Sequence, residues 1–112
     1  MIPKGKPTRF YSSKQEKTVA KSLGGRQVSN SGATAFNKGD VLAGSFLIEC
    51  KTVTKEQKTF TIKKDWIEKN QEEAFAMGKQ YSAIAIDFGD GIQHYVISEA
   101  LFSKLKDFLE NS

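Results

Sequence analysis

The chain reads as an α/β domain: a mixed central β-sheet flanked by helices, in the order α-β-β-α-β-β-α. Three observations lead there. Residues 81–88 (YSAIAIDF) are apolar at nearly every position, as an interior strand covered on both faces requires. Residues 40–42 and 46–51 flank Ala43-Gly44-Ser45, a hairpin pattern. Between them and the interior strand lies DWIEKNQEEAFAM, in which Trp66, Ile67, Asn70, Ala74 and Met77 fall close to one helical stripe.

The other elements follow in order. Residues 1–12 hold both prolines and read as a basic, extended N-terminal arm, leaving 13–112 as a single domain. Ser13-Lys14-Gln15-Glu16 has the capping-box spacing, with Ser at N-cap and Glu at N3. Val19, Ala20 and Leu23 continue with helical spacing and Gly24-Gly25 stops the run, so a first helix is expected over 14–23. Residues 29–39 (SNSGATAFNKG) are turn-rich loop. After the hairpin, 52–58 is a polar, Lys-rich loop and 60–62 a short extended piece. The second helix spans 65–77 and ends at Gly78. Gly89-Asp90-Gly91 turns the chain into a strand over 92–97. Ser98 caps a last helix whose apolar positions are Leu101, Phe102, Leu105, Phe108 and Leu109.

The totals bound the function classes. With 112 residues the chain supports one core, and 38% hydrophobic with 27% charged residues marks an ordinary globular domain rather than a disordered one. No apolar run approaches the roughly 20 residues of a membrane span. No apolar segment follows Lys4, Lys6 and Arg9, so no secretory signal is expected. Cys50 is the lone cysteine, which excludes an intrachain disulfide and a thiolate metal cluster. A reducing interior, the cytoplasm, is the simplest home. The net charge of +4 is uneven: residues 1–26 carry seven cations against Glu16, a net +6 that leaves −2 for the rest. A basic end suits a polyanionic partner, and it equally suits a solvated face.

Glu49-Cys50-Lys51 carries the chemistry. In a strand, Glu49 and Lys51 share one face while Phe46, Ile48 and Cys50 share the other. The second set belongs to the core. The first places a carboxylate beside an ammonium on an interior strand, where charges are costly unless paired or metal-bound. Asp40 opens the partner strand and lies beside Glu49. Two carboxylates at one spot repel, and a divalent cation such as Mg2+, with Mn2+ as a substitute, relieves the repulsion. A cation held by Asp40 and Glu49 would lower the pKa of a water and polarise a phosphate, with Lys51 orienting the nucleophile or offsetting transition-state charge. The backbone carbonyl of Cys50 is a further candidate ligand. Glu16 stands three residues before Val19, on the face that helix one turns toward the sheet. A ligand role explains a carboxylate there, and so does the capping box; both readings stand.

Glu16, then Gly39-Asp40, then Glu49-Cys50-Lys51 resembles the restriction-endonuclease-like, or PD-(D/E)xK, nucleases: a helix-borne Glu, an Asp at a hairpin, and E-x-K on the next strand. Ser31-Gly32, between helix one and the Asp, resembles the S-G segment of archaeal-type and phage Holliday junction resolvases. The resemblance covers residues 13–88, and Gly39 stands where the family name has proline. It implies a restriction-endonuclease-like core and Mg2+-dependent hydrolysis of DNA phosphodiester bonds by Glu16, Ser31, Asp40, Glu49 and Lys51. It also implies branched or four-way-junction DNA as substrate, in the cytoplasm of a prokaryotic cell or phage-infected host. Symmetric cutting of two strands by a one-site domain implies a C2 homodimer.

Lys4, Lys6, Arg9, Lys14, Arg26, Lys38, Lys55 and Lys58 are candidates for phosphate contact. None forms a base-reading motif, so backbone and shape recognition is expected. His94 reads as a plain strand histidine rather than a general base. Trp66, Phe75 and the C-terminal Leu/Phe stripe read as core or dimer surface. Two alternatives remain open: a nicking or DNA-degrading nuclease of the same fold, and a non-catalytic basic DNA-binding module in which the carboxylates serve caps and salt bridges.

Overall fold

Alternation along the strands sends two sets of side chains to opposite faces, and each face is covered by its own helix. The computed structural model describes residues 8–28 and 40–111. Its elements are α1 (Thr8–Leu23), β1 (Arg26–Gln27), β2 (Asp40–Ala43), β3 (Phe46–Thr52), α2 (Lys64–Ala76), β4 (Tyr81–Asp87), β5 (Gln93–Val96) and α3 (Glu99–Glu110). The strands form one mixed sheet in the order β1-β2-β3-β4-β5, antiparallel except for the β3–β4 pair. That parallel pair needs a crossover, and α2 supplies it.

On one face Val41, Ala43, Ile48, Cys50, Ala83 and Ala85 meet Val19 and Ala20 of α1. On the other, Leu42 and Leu47 meet Ala74 of α2. Val19, Val41, Leu47, Ile48 and Ile84 are buried almost completely, each worth about 1.5–3 kcal/mol over an exposed position. Gly44, in the left-handed region at φ 56°, makes the tight β2–β3 turn. The α3 cap forms as expected: Ser98 Oγ accepts from Leu101 N at 3.1 Å. Leu101 is the buried residue of this helix, whereas Phe102, Leu105 and Phe108 are exposed.

Several expectations change. Helix α1 reaches back to Thr8, so residues 8–12 are helical rather than extended arm. Pro7 directly precedes it and no breaker lies between 8 and 23, so the helix propagates to the proline. Ser13 therefore stands inside the helix and the capping box does not form. Residues 60–62 belong to no helix or strand, and Phe60 packs edge-on against Trp66 and Phe88. β1, two residues long, had no sequence signal. No helix among the described residues is long and apolar enough to cross a membrane.

Candidate metal centre

The β2–β3 register places Asp40 directly opposite Glu49, on the face that α2 covers. Asp40 is fully buried at 0% exposure, and Glu49 is buried as well. From α2, Glu73 reaches the same spot: one carboxylate oxygen from each of Asp40, Glu49 and Glu73 lies within 4.8 Å of the others. Both oxygens of Asp40, Oε1 of Glu49 and Oε1 of Glu73 are buried without a hydrogen-bond partner among the described residues. Two residues along β3, Lys51 Nζ pairs with Glu49 Oε2 at 3.0 Å.

Electrostatics follow from that crowding. Burial pushes Asp40 from its ordinary 3.8 up to about 7; the charges of Glu73, Glu49 and Glu16 add to the rise and Lys51 opposes it. Burial also raises Glu73, with Glu49 adding. Four unpartnered carboxylate oxygens in a buried pocket are an unfavourable arrangement without a cation or a proton to satisfy them. They are hard donors, the chemistry that suits Mg2+ or Mn2+.

Sequence reasoning thus brings Asp40, Glu49 and Lys51 together correctly, and Glu16 only in part. Glu16 is buried, as its inward face implied. Its helix covers the opposite face of the sheet, and its Oε1 accepts from Gln27 Nε2 at 3.1 Å. It lies outside the three-carboxylate group but near enough for its charge to raise Asp40 and Cys50. Burial raises Glu16 itself, while the Gln27 bond lowers it. Glu73 was missed, yet its signal was present: Trp66, Asn70, Glu73 and Met77 follow one another at helical spacing, along the stripe read from Trp66, Asn70 and Met77.

Cys50 is buried on the α1 face, opposite the side that carries Asp40 and Glu49, and its thiol is raised by burial and then by the charges of Glu16, Asp40 and Glu49. β2 starts at Asp40, opposite Glu49, and among the described residues no strand continues that ladder alongside Cys50 and Lys51. Gln15, also unforeseen, is nearly fully buried. Its Nε2 lies 3.1 Å from the Lys51 carbonyl, 3.2 Å from the Ala85 carbonyl and 2.9 Å from Gln93 Oε1. Gln93 in turn donates to Asp87, whose other oxygen accepts from the Gly89 and Gly91 amides. This chain of bonds ties α1 to the end of β3 that carries Lys51.

Lys14, Arg26, Lys55 and Lys58 are exposed. Lys55 and Lys58 follow β3 directly, at the carboxyl ends of the parallel strands, where open α/β sheets place ligands. Ser31, Lys4, Lys6 and Lys38 lie outside the described residues, as does the side chain of Arg9. His94 is exposed on β5 with its ring against Phe88. No family model, no curated protein and no solved structure matches this chain.

Proposed function

We propose that this chain is a Mg2+-dependent DNA endonuclease with a restriction-endonuclease-like core, closest in pattern to the archaeal-type and phage Holliday junction resolvases. The observation that carries the reading is the convergence of Asp40, Glu49 and Glu73, with four buried, unpartnered oxygens, beside the Lys51 ammonium. Asp40, Glu49 and Glu73 would hold the ion, with the Cys50 carbonyl as a further candidate. A divalent cation supplies charge that polarises a phosphate and acidifies water at neutral pH. Lys51 sits where it can meet a phosphate oxygen and offset charge developing on phosphorus. Glu16 contributes negative charge from the far side of Asp40 and so strengthens cation attraction. Gln15 holds the Lys51 backbone in register. Lys14, Arg26, Lys55 and Lys58, with Lys4, Lys6, Arg9 and Lys38, would grip backbone phosphates, and Ser31 would position the phosphate or water. Two symmetric cuts call for a C2 dimer, and the exposed Phe102, Leu105 and Phe108 of α3 offer an apolar face for it.

The test is incubation of the protein with supercoiled plasmid and a synthetic four-way junction, in Mg2+ or in EDTA. Metal-dependent cleavage that disappears in Lys51→Ala while DNA binding persists supports the enzyme. Paired symmetric nicks on the junction, absent on linear duplex, select a resolvase over a nicking or degrading nuclease. Binding without cleavage in Mg2+, or in Mn2+ in its place, refutes the nuclease and leaves a basic DNA-binding domain.

A further inference from the structure

Lys51 has a second neighbour besides Glu49. Its Nζ lies 4.4 Å from the centroid of the Trp66 ring, in the first turn of α2. The ring is half-buried and braced: Phe60 meets it edge-on at 6.5 Å between centroids, and Phe60 is itself held edge-on by Phe88 at 5.7 Å. Lys63 stands farther from the same ring, at 5.9 Å.

The two contacts on Lys51 differ once a cation is present. Glu49 would give its lone pairs to the ion, and the ion repels the ammonium that Glu49 had held. The aromatic face attracts an ammonium through its quadrupole and has no ligand atom to offer a hard metal. A lysine side chain on a flexible four-carbon stem otherwise regains its rotamer freedom. We propose that Trp66 is a positioning residue for Lys51: its braced ring keeps the ammonium beside the site when a divalent cation takes Glu49. This inference rests on the nuclease reading above.

Trp66 is the one tryptophan in the chain, so its fluorescence reports this contact directly. The experiment compares the full-length wild type with Trp66→Leu, Trp66→Phe and Lys51→Met. Each is measured for plasmid and junction cleavage, and the tryptophan-containing forms for emission with and without Mg2+. Trp66→Leu should lower kcat about tenfold with KM for DNA within about twofold, and Trp66→Phe should recover most of the loss. Lys51→Met should shift the emission and remove its response to Mg2+. Unchanged emission in Lys51→Met, or wild-type kcat in folded Trp66→Leu, overturns the inference. If Trp66→Leu fails to fold, the Trp66→Phe rate and the Lys51→Met spectrum decide it. A wild type that cleaves while Trp66→Leu cleaves equally well sinks this inference alone; a wild type that never cleaves sinks the nuclease reading and this one with it.

Discussion

Asp40 should make the metal-free protein lose stability as pH rises. Its carboxyl titrates at about 7 in the folded chain against an ordinary 3.8, mainly through burial and then through Glu73, Glu49 and Glu16. Between those values the folded state holds a proton that the unfolded chain has released, so folding takes up a proton and weakens with rising pH. The contribution is whole below pH 3.8 and lost above pH 7. At about 1.36 kcal/mol per unit, the full span is roughly 4 kcal/mol, of which about 2–3 falls between pH 5 and pH 8. For a domain near 100 residues that lowers Tm by about 10 °C or more. Glu16 and Glu73 are raised as well and act in the same direction. Calorimetry or urea melts from pH 5 to 8 in EDTA measure the slope. Asp40→Asn should flatten most of it and be the more stable form at pH 8. Mn2+ or Mg2+ should stabilise the wild type and flatten its slope, because a cation favours the ionised carboxylates. An Asp40→Asn protein with the wild-type slope, or with the wild-type gain from Mn2+, refutes the reasoning.

Metal affinity by calorimetry should separate the two helix-borne glutamates. Glu73→Gln, which removes a charged ligand, should weaken Mn2+ binding at least tenfold, whereas Glu16→Gln, acting through charge alone, should change it only severalfold; the reverse order would return Glu16 to the ligand set. Gln15→Ala strips its bonds to the Lys51 and Ala85 carbonyls and opens a cavity, so urea melts should show a loss of about 2–4 kcal/mol. Phe102→Glu with Phe108→Glu should leave the thermal stability of the monomer within about 1 kcal/mol, since both side chains are exposed. The same pair should abolish dimers in sedimentation, and dimers that survive it place the interface elsewhere.

Much of the architecture was legible because period and punctuation agree. Residues 40–42 and 46–51 flank a glycine turn, 81–88 are apolar at nearly every position, and glycines 44, 78, 89 and 91 all take positive φ where turns were expected. The main departure, at the start of α1, has a local cause. Ser13-x-x-Glu16 satisfies a capping box on paper, but the preceding residues have no breaker and extend the helix through it. Within the site, the face-sharing of Glu49 and Lys51 and the pairing with Asp40 follow from strand geometry alone. Glu73 needed the α2 stripe to be read for charge as well as for apolarity. Gln15 gave no signal, because a buried amide whose Nε2 donates to backbone carbonyls 36 and 70 residues away leaves no local pattern.

The carboxylates also bear on the alternative in which they only support the fold. A structural carboxylate is satisfied by amides, hydroxyls or cations, and this chain contains such a case: Asp87 accepts from two backbone amides and Gln93. Asp40 is more deeply buried than Asp87 and, among the described residues, has no partner on either oxygen. Its nearest charged neighbours include three further carboxylates against the single opposing ammonium of Lys51. A leucine or asparagine there would cost the fold less, since removing a like-charged buried group relieves both desolvation and repulsion. On the proposed reading, substitution there should separate stability from function: Asp40→Asn should gain stability at pH 8 in EDTA while losing metal binding and cleavage together.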